Sequence, residues 1–203
     1  MVAGLISALV LGGWGAVAGL LVGGASGLVI GLLAGLLLGG VHGWAIAAGS
    51  AYDFGSAGGA VAYVVDHTWS VVNTLAGAVF LTGNLIFGNR LDRSFTPHRN
   101  LIGLHKGVVP GFATTIGTVQ AGTGMNINVH EAVHVLQARI FGPLYIPLVV
   151  GNYVLATLLP YWLLYHDRTA RPISGFVAYF RRGVYPHTWN EEWAYKVEGT
   201  PPL

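Results

Sequence analysis

Apolar residues run almost unbroken from residue 2 to residue 48. As one helix that tract would be roughly 70 Å long, more than twice the hydrocarbon core of a bilayer. It must fold back. Gly23-Gly24-Ala25-Ser26-Gly27 is the predicted turn, giving helices near 3–22 and 28–48. Glycine recurs every fourth position, at Gly15, Gly19, Gly23, Gly27, Gly31, Gly35, Gly39 and Gly43. That spacing keeps successive glycines nearly on one face, a smooth groove where backbones approach closely. The pattern predicts a glycine-zipper helical hairpin. It either packs only on itself or also docks a partner transmembrane helix on the glycine face. His42 and Trp44 read as markers of the membrane interface.

Beyond the hairpin the pattern is more broken. Residues 49–60 are rich in Gly, Ala and Ser and predict a flexible connector. Residues 61–82 are apolar but interrupted by Asp66-His67-Thr68-Trp69-Ser70 and by Asn73. Polar groups at membrane depth are costly, so this segment is buried against protein, lies at the interface or lines a site. Asp66 or His67 is either a partner to a metal-bound histidine or part of a polar cap on a helix starting at Trp69. Residues 83–106, with Arg90, Asp92, Arg93, Arg99 and Lys106, predict a loop outside the hydrocarbon, with His98 and His105 exposed. Residues 107–125 alternate Thr with apolar positions, which favours short strands, one of them an edge able to pair with a substrate backbone. Asn128 is the predicted N-cap of the next helix. Residues 144–165 form an apolar run long enough to span a bilayer. Broken at Pro147, Gly151-Asn152 or Pro160, it instead returns to the side it left. Basic residues before it (Arg90, Arg93, Arg99, Lys106, Arg139) and after it (Arg168, Arg171, Arg181, Arg182, Lys196) favour the return. Residues 171–188 predict an exposed tail, with Arg181-Arg182, Tyr185 and Trp189 at an anionic headgroup layer.

Composition points the same way. Charged residues make up 9% of the chain and apolar ones 53%, which places it among integral membrane proteins. With no basic run, nucleic acid is excluded as a partner. No cysteine means no disulfide framework and no thiolate metal site. A cleaved signal peptide is not expected, since residues 1–52 contain no Lys or Arg and the apolar run is too long.

The chemistry is concentrated in His130-Glu131-Ala132-Val133-His134. On a helix His130 and His134 share a face and can offer two imidazoles to one ion, with Glu131 beside them. This is the H-E-x-x-H arrangement of zinc metallopeptidases, in which zinc is the Lewis acid and the glutamate the base. The other reading is two histidines bonded in a polar pocket without a metal. A third ligand must come from few candidates. Three acids precede the motif, Asp53, Asp66 and Asp92, and Asp167, Glu191, Glu192 and Glu198 follow it. Trp189 to Tyr195 reads as a short amphipathic helix carrying Glu191, about sixty residues after the motif.

His130-Glu131-x-x-His134-x-x-Gln137, then Phe141-Gly142-Pro143-Leu144-Tyr145-Ile146-Pro147 and Glu191-Glu192-Trp193-Ala194, resemble a set of bacterial membrane-associated proteins of gluzincin-like metallopeptidase type. The likeness covers about residues 60–200. It implies that His130, His134 and Glu191 are zinc ligands and Glu131 the catalytic base. Two departures stand out. Val133 occupies a position usually held by Gly, and no Ser-Asp pair follows Glu191. They keep open a non-catalytic member.

The expected protein is therefore mainly α and integral to the membrane, most simply the bacterial cell membrane. Residues 1–50 form a glycine-rich transmembrane hairpin, and 51–203 a small H-E-x-x-H domain at the membrane surface. The expected function is peptide hydrolysis near the membrane with zinc as cofactor and lipid as neighbour. The alternative is a non-catalytic accessory subunit of a larger membrane complex, docking through the glycine-rich helices.

Overall fold

In the computed structural model, which describes residues 2–109, 111–125 and 127–200, the chain is mainly helical with one small sheet. The apolar N-terminal tract forms α1, Val2–Gly49, whose helical backbone is interrupted only at Gly23 and Gly24. Gly24 has φ +59° and ψ −144°, a conformation that favours glycine, and it reverses the chain. The reversal is tighter than the predicted five-residue turn, because Ala25, Ser26 and Gly27 are already helical. The two arms lie against each other at their glycines. A Cβ on Gly15 would strike the Gly31 carbonyl, one on Gly19 the Gly27 carbonyl, and one on Gly43 the Gly4 carbonyl. Backbone-to-backbone contact of this kind leaves no room for any side chain, which is why the four-residue row is glycine. The outer faces carry exposed apolar residues, among them Leu21, Val22, Ile30 and Leu37.

The base of the hairpin is built into the rest of the protein. Ala45, Ile46, Ala51 and Tyr52 share one core with Leu81 and with the strand residues Ile102, Leu104, Val119 and Ala121. Those strands are β1, Ile102–Leu104, and β3, Val119–Ala121, which pair in parallel, with β2, Thr114–Ile116, antiparallel on the far side of β3. The expected flexible connector, residues 49–60, is ordered: the amides of His98 and Asn100 donate to the carbonyls of Ser50 and Ala51 at 2.9 and 2.8 Å, and residues 57–60 already belong to the next helix.

The polar interruption in 61–82 has a structural explanation. Helix α2, Ala57–His67, and helix α3, Val71–Ile86, are bent by 86° at this break. The residues at the bend hold α4, Asn128–Phe141, the helix that carries the motif. Trp69 Nε1 donates to Ile140 O at 3.2 Å, Ser70 Oγ to Ala138 O at 3.0 Å, and Asn73 Nδ2 to Gly142 O at 2.7 Å. The last carbonyls of a helix have no partners inside it, and here the α2–α3 corner supplies them. Gly142 follows at φ +54°, where a Cβ would enter the Trp69 ring. Asp66 makes a two-pronged ion pair with Arg139 of α4, Nε to Oδ1 at 2.9 Å and Nη2 to Oδ2 at 2.8 Å, and Tyr52 donates to the same carboxylate at 2.7 Å. Asp66 is therefore neither a partner of a metal-binding histidine nor a helix cap. It anchors the motif helix.

His42 and His67 depart from expectation too. His42 is fully buried, not interfacial. His67 Nδ1 donates to Tyr63 O at 2.8 Å, so its Nε2 accepts from Ser7 Oγ at 3.0 Å. Ser7 then accepts from His42 Nδ1 at 3.0 Å, and His42 Nε2 from Thr118 Oγ1 at 3.0 Å. One chain of neutral donors and acceptors thus joins both arms of the hairpin to α2 and to the turn before β3.

Asn128 is the first residue of α4, not its N-cap. Its side chain accepts from Gln120 Nε2 at 2.7 Å and donates to Thr123 O at 3.3 Å. After α4 a 3-10 turn leads into α5, Tyr145–Leu158, which stops at Leu159-Pro160. Of the candidate breakpoints Pro160 ends the helix. Pro147 lies in its first turn, and Gly151-Asn152 stay helical. The chain then folds back through a 3-10 turn, Tyr161–Leu164, a single turn α6, Phe176–Ala178, a π-helical turn, Tyr179–Val184, and a 3-10 turn, Tyr185–His187, into α7, Trp189–Glu198. The expected exposed tail is exposed over much of 172–182, Phe176 and Val177 among them, and is packed at its end, where residues 183, 184 and 186–188 are buried. Trp162, Val184 and Thr188 have no solvent exposure, and a Cβ on Gly183 would meet the Trp162 ring.

Two helical stretches are long and apolar enough to cross a membrane, Val2–Gly49 and Asn128–Leu158, and the bent α2–α3 pair is a third candidate.

Candidate metal centre

Helix α4 is held at its C-terminus by the α2–α3 corner, and it turns Val129, Leu136 and Ile140 outward, where they are exposed. Its buried face carries His130, Glu131, His134 and Gln137 together. Helix α7 covers that face. Trp189 and Trp193 pack edge-on against Phe141, with ring centres 5.1 and 6.4 Å apart, and Gln137 Nε2 donates to Asn190 O at 2.8 Å. This docking places Glu191, in the first turn of α7, between the two histidines.

His130 Nε2 lies 3.1 Å from Glu191 Oε2, and His134 Nε2 lies 3.6 Å from Oε1. The three residues are buried and offer ligand atoms all within 4.8 Å of one another. A tetrahedral ion with bonds of about 2.0–2.1 Å holds its ligand atoms about 3.3 Å apart. The two histidine-to-carboxylate separations, 3.1 and 3.6 Å, lie close to that value.

The far sides of the rings decide what the near sides can do. The Gln137 amide is oriented by its bond to the Asn190 carbonyl, so its Oε1 faces His134 Nδ1 at 3.0 Å. That nitrogen must donate, which leaves Nε2 with a bare lone pair. Tyr145 OH donates to the same Oε1 at 3.1 Å. His130 Nδ1 faces Glu198 Oε2 at 3.4 Å, and a carboxylate asks for a donor there too. The Glu191 carboxylate is itself held by Asn190 Nδ2 at 3.0 Å and Tyr153 OH at 3.3 Å. Two imidazole lone pairs and a carboxylate therefore converge on one buried point. Only positive charge satisfies them, either protons on the rings or a metal ion. A His130–His134–Glu191 group of this kind can hold a metal ion, and braced ring nitrogens are the usual support of such ligands. When protons rather than a metal occupy the two Nε2 atoms, their hydrogen bonds to Glu191 outweigh the burial that pushes its carboxyl up and hold it at about 2, so the carboxylate is ionised before any metal arrives.

Glu131 points elsewhere. It is buried, yet its Oε2 has no hydrogen-bond partner. It lines a cavity of about 730 Å³ together with His134 and Glu191. The Thr115 hydroxyl on β2, buried and without a partner, lines it too. Helix α5 supplies an apolar wall through Ile146, Val149 and Val150, and the opposite wall is Phe112 and Ile116. Tyr185 and Tyr195 complete the lining. Burial raises both phenols, Tyr195 to about 12, so both stay protonated donors at neutral pH.

The residues expected to meet do meet. His130, His134 and Glu191 converge, and Glu192, one position on, points away to Tyr165 OH at 3.3 Å. His98 and His105 lie outside the site, with exposed rings beside Asp53 and Asp92. Sequence reasoning missed Tyr153 and Asn190, and it gave no supporting role to Gln137 and Tyr145, which it held only as motif residues, or to Glu198, which it held only as a candidate ligand. Two were within reach of it: Gln137 is one turn after His134, and Glu198 is two turns after Glu191 on the same face of α7.

No known family model, curated protein or solved structure matches this chain.

Proposed function

We propose that this protein is a membrane-embedded, zinc-dependent peptidase-like hydrolase, anchored by the α1 glycine zipper and acting on amide bonds beside the bilayer. The observation that carries the reading is the convergence of two braced Nε2 atoms and the Glu191 carboxylate next to an unpartnered Glu131 on an apolar cavity. The chemistry that a divalent ion supplies there when bound is Lewis acidity toward an amide carbonyl and toward water. The protein's own groups do the rest. Glu131 Oε2 takes a proton from the attacking water and returns it to the departing amine. Tyr185 and Tyr195, protonated phenols in the lining of the cavity, would donate to the carbonyl oxygen as negative charge develops. The apolar walls exclude bulk water and strengthen each of these interactions.

Membrane integration, most simply in a bacterial cell membrane, is supported by the candidate spans and by their exposed apolar faces. Helix α5 stops at Leu159-Pro160 and the chain then folds back toward α4, which suits a segment that dips in and returns. A second reading, a subunit of a larger membrane complex, draws on the hairpin. Most of its glycines are taken up by contacts between the arms, but Gly13 and Gly40 face open space where a partner helix can approach.

The test uses zinc-loaded protein in lipid nanodiscs with a fluorogenic apolar peptide. Cleavage should stop on chelation and return with zinc. Glu131→Gln should keep the metal and lower turnover by about two orders of magnitude or more, the usual contribution of a positioned base. Undiminished cleavage by this variant, or loss of its metal, would overturn the assignment of Glu131.

A further inference from the structure

Two arginines line the cavity that holds the metal-ligand residues, Arg171 and Arg181. Among the described residues neither has a carboxylate within salt-bridge distance; the arginine that does is Arg139, with Asp66. The cavity's own acids, Glu131 and Glu191, leave both unpaired. Arg181 lies over the Phe112 ring, 4.9 Å from its centre, and so bridges the π-helical turn to the segment before β2. Arg171 is fixed by its backbone: its amide donates to Asp167 O at 2.9 Å and its carbonyl accepts from His166 Nε2 at 2.8 Å. The lining around them mixes apolar side chains with polar ones such as Thr115 and Asn190, and Arg181 is also open to solvent; a planar carboxylate matches the fork of donors that an unpaired guanidinium offers there.

The remaining wall indicates what carries that carboxylate. Strand β2 is the edge of the sheet, and its backbone hydrogen bonds go to β3 alone among the described residues. An extended backbone can pair along a free edge, which a hydrocarbon chain cannot do. The orphaned Thr115 hydroxyl sits on the same strand. The apolar side chains opposite suit apolar residues.

We propose that the site takes an apolar peptide by its C-terminal end, its free α-carboxylate held by Arg171 and Arg181 and its backbone along β2. This rests on the hydrolase reading for its reaction but not for its binding. In the reaction, water's oxygen bonds to the carbonyl carbon as the C–N bond breaks, and its proton passes through Glu131 to the new amine. The products are a shortened peptide and a small C-terminal fragment.

The experiment separates binding from catalysis. Metal-stripped full-length protein in nanodiscs is titrated with a short Val/Ile/Phe peptide bearing a free C-terminus and with the same peptide as its amide. The free acid should bind about 10-fold tighter or more, the worth of one charge-assisted contact. Arg171→Gln combined with Arg181→Gln should erase that preference while leaving the amide's affinity unchanged, which also shows that the variant is folded. Equal binding of acid and amide by the wild type, a preference that survives in the double variant, or binding of laurate but of neither peptide would overturn the proposal. In parallel, metal-loaded protein is offered both peptides. Equal cleavage of both would keep the hydrolase and remove the carboxylate anchor. Carboxylate-dependent binding with no cleavage would keep the anchor and remove the hydrolase.

Discussion

At the residue scale, the direction of single hydrogen bonds sets what the site can do. His134 presents a bare Nε2 because Gln137 Oε1 occupies Nδ1, and Gln137 is oriented in turn by the Asn190 carbonyl. Replacing Gln137 by Leu keeps the volume but removes that constraint and strands the Asn190 carbonyl. Metal affinity should then fall about 10- to 100-fold, the usual effect of losing such a support, as read by competition with a chromogenic chelator. An unchanged affinity would mean that the ring orientation is fixed by packing alone. The motif residues were legible in the sequence because helical spacing is local: His130, Glu131 and His134 need only one turn of one helix. Glu191 was legible because acids are so few. His42 and Asp66 were not legible, since their partners are distant in sequence. Ser7 and Thr118 complete one and Arg139 the other, across 35 to 76 residues.

At the element scale, α1 and the α2–α3 corner make the scaffold. The glycine row implied close packing, and the structure spends most of it between the two arms. The same substitution should therefore have opposite effects at two positions. At Gly31 a Cβ would strike the Gly15 carbonyl, so Gly31→Ala should destabilise by about 1–3 kcal/mol through overpacking. At Gly40 nothing lies within 4 Å, so Gly40→Ala should be neutral or stabilising by up to about 1 kcal/mol from helix propensity. Thermal unfolding in detergent checks both, and equal shifts would show that the arms do not meet through this face. The corner was harder to anticipate. Its polar run looked like a cap for its own helix, but its donors serve the C-terminus of α4, a pairing that sequence spacing does not encode. Strands β2 and β3 were visible only as Thr alternation in 107–125, whereas β1 lies in 83–106, expected as a loop, and its parallel pairing with β3 is one that no local pattern indicates.

At the scale of the whole molecule, topology and chemistry are one question. Glu191 reaches His130 because the chain turns back after Pro160 and brings α7 onto α4, an arrangement that requires α4 and α7 to share a side of the membrane. The native chain has no cysteine, so single cysteines at Gly124 and Lys196, both exposed, should label from the same face of sealed vesicles. Labelling from opposite faces would contradict the arrangement. The apolar run at 144–165 was legible as a crossing or, favoured by the basic residues on both sides of it, as a return; which proline would end the helix was not, because a proline in a hydrophobic run bends some helices and ends others. The central claim is that His130, His134 and Glu191 hold one metal ion, and zinc bound per chain tests it most directly. Purified wild-type protein, stripped and reloaded, should bind one equivalent. Glu191→Ala should bind far more weakly, with one of three protein ligands gone, and Glu192→Ala should match the wild type. Full zinc binding by Glu191→Ala, or equal losses in the two variants, would contradict it.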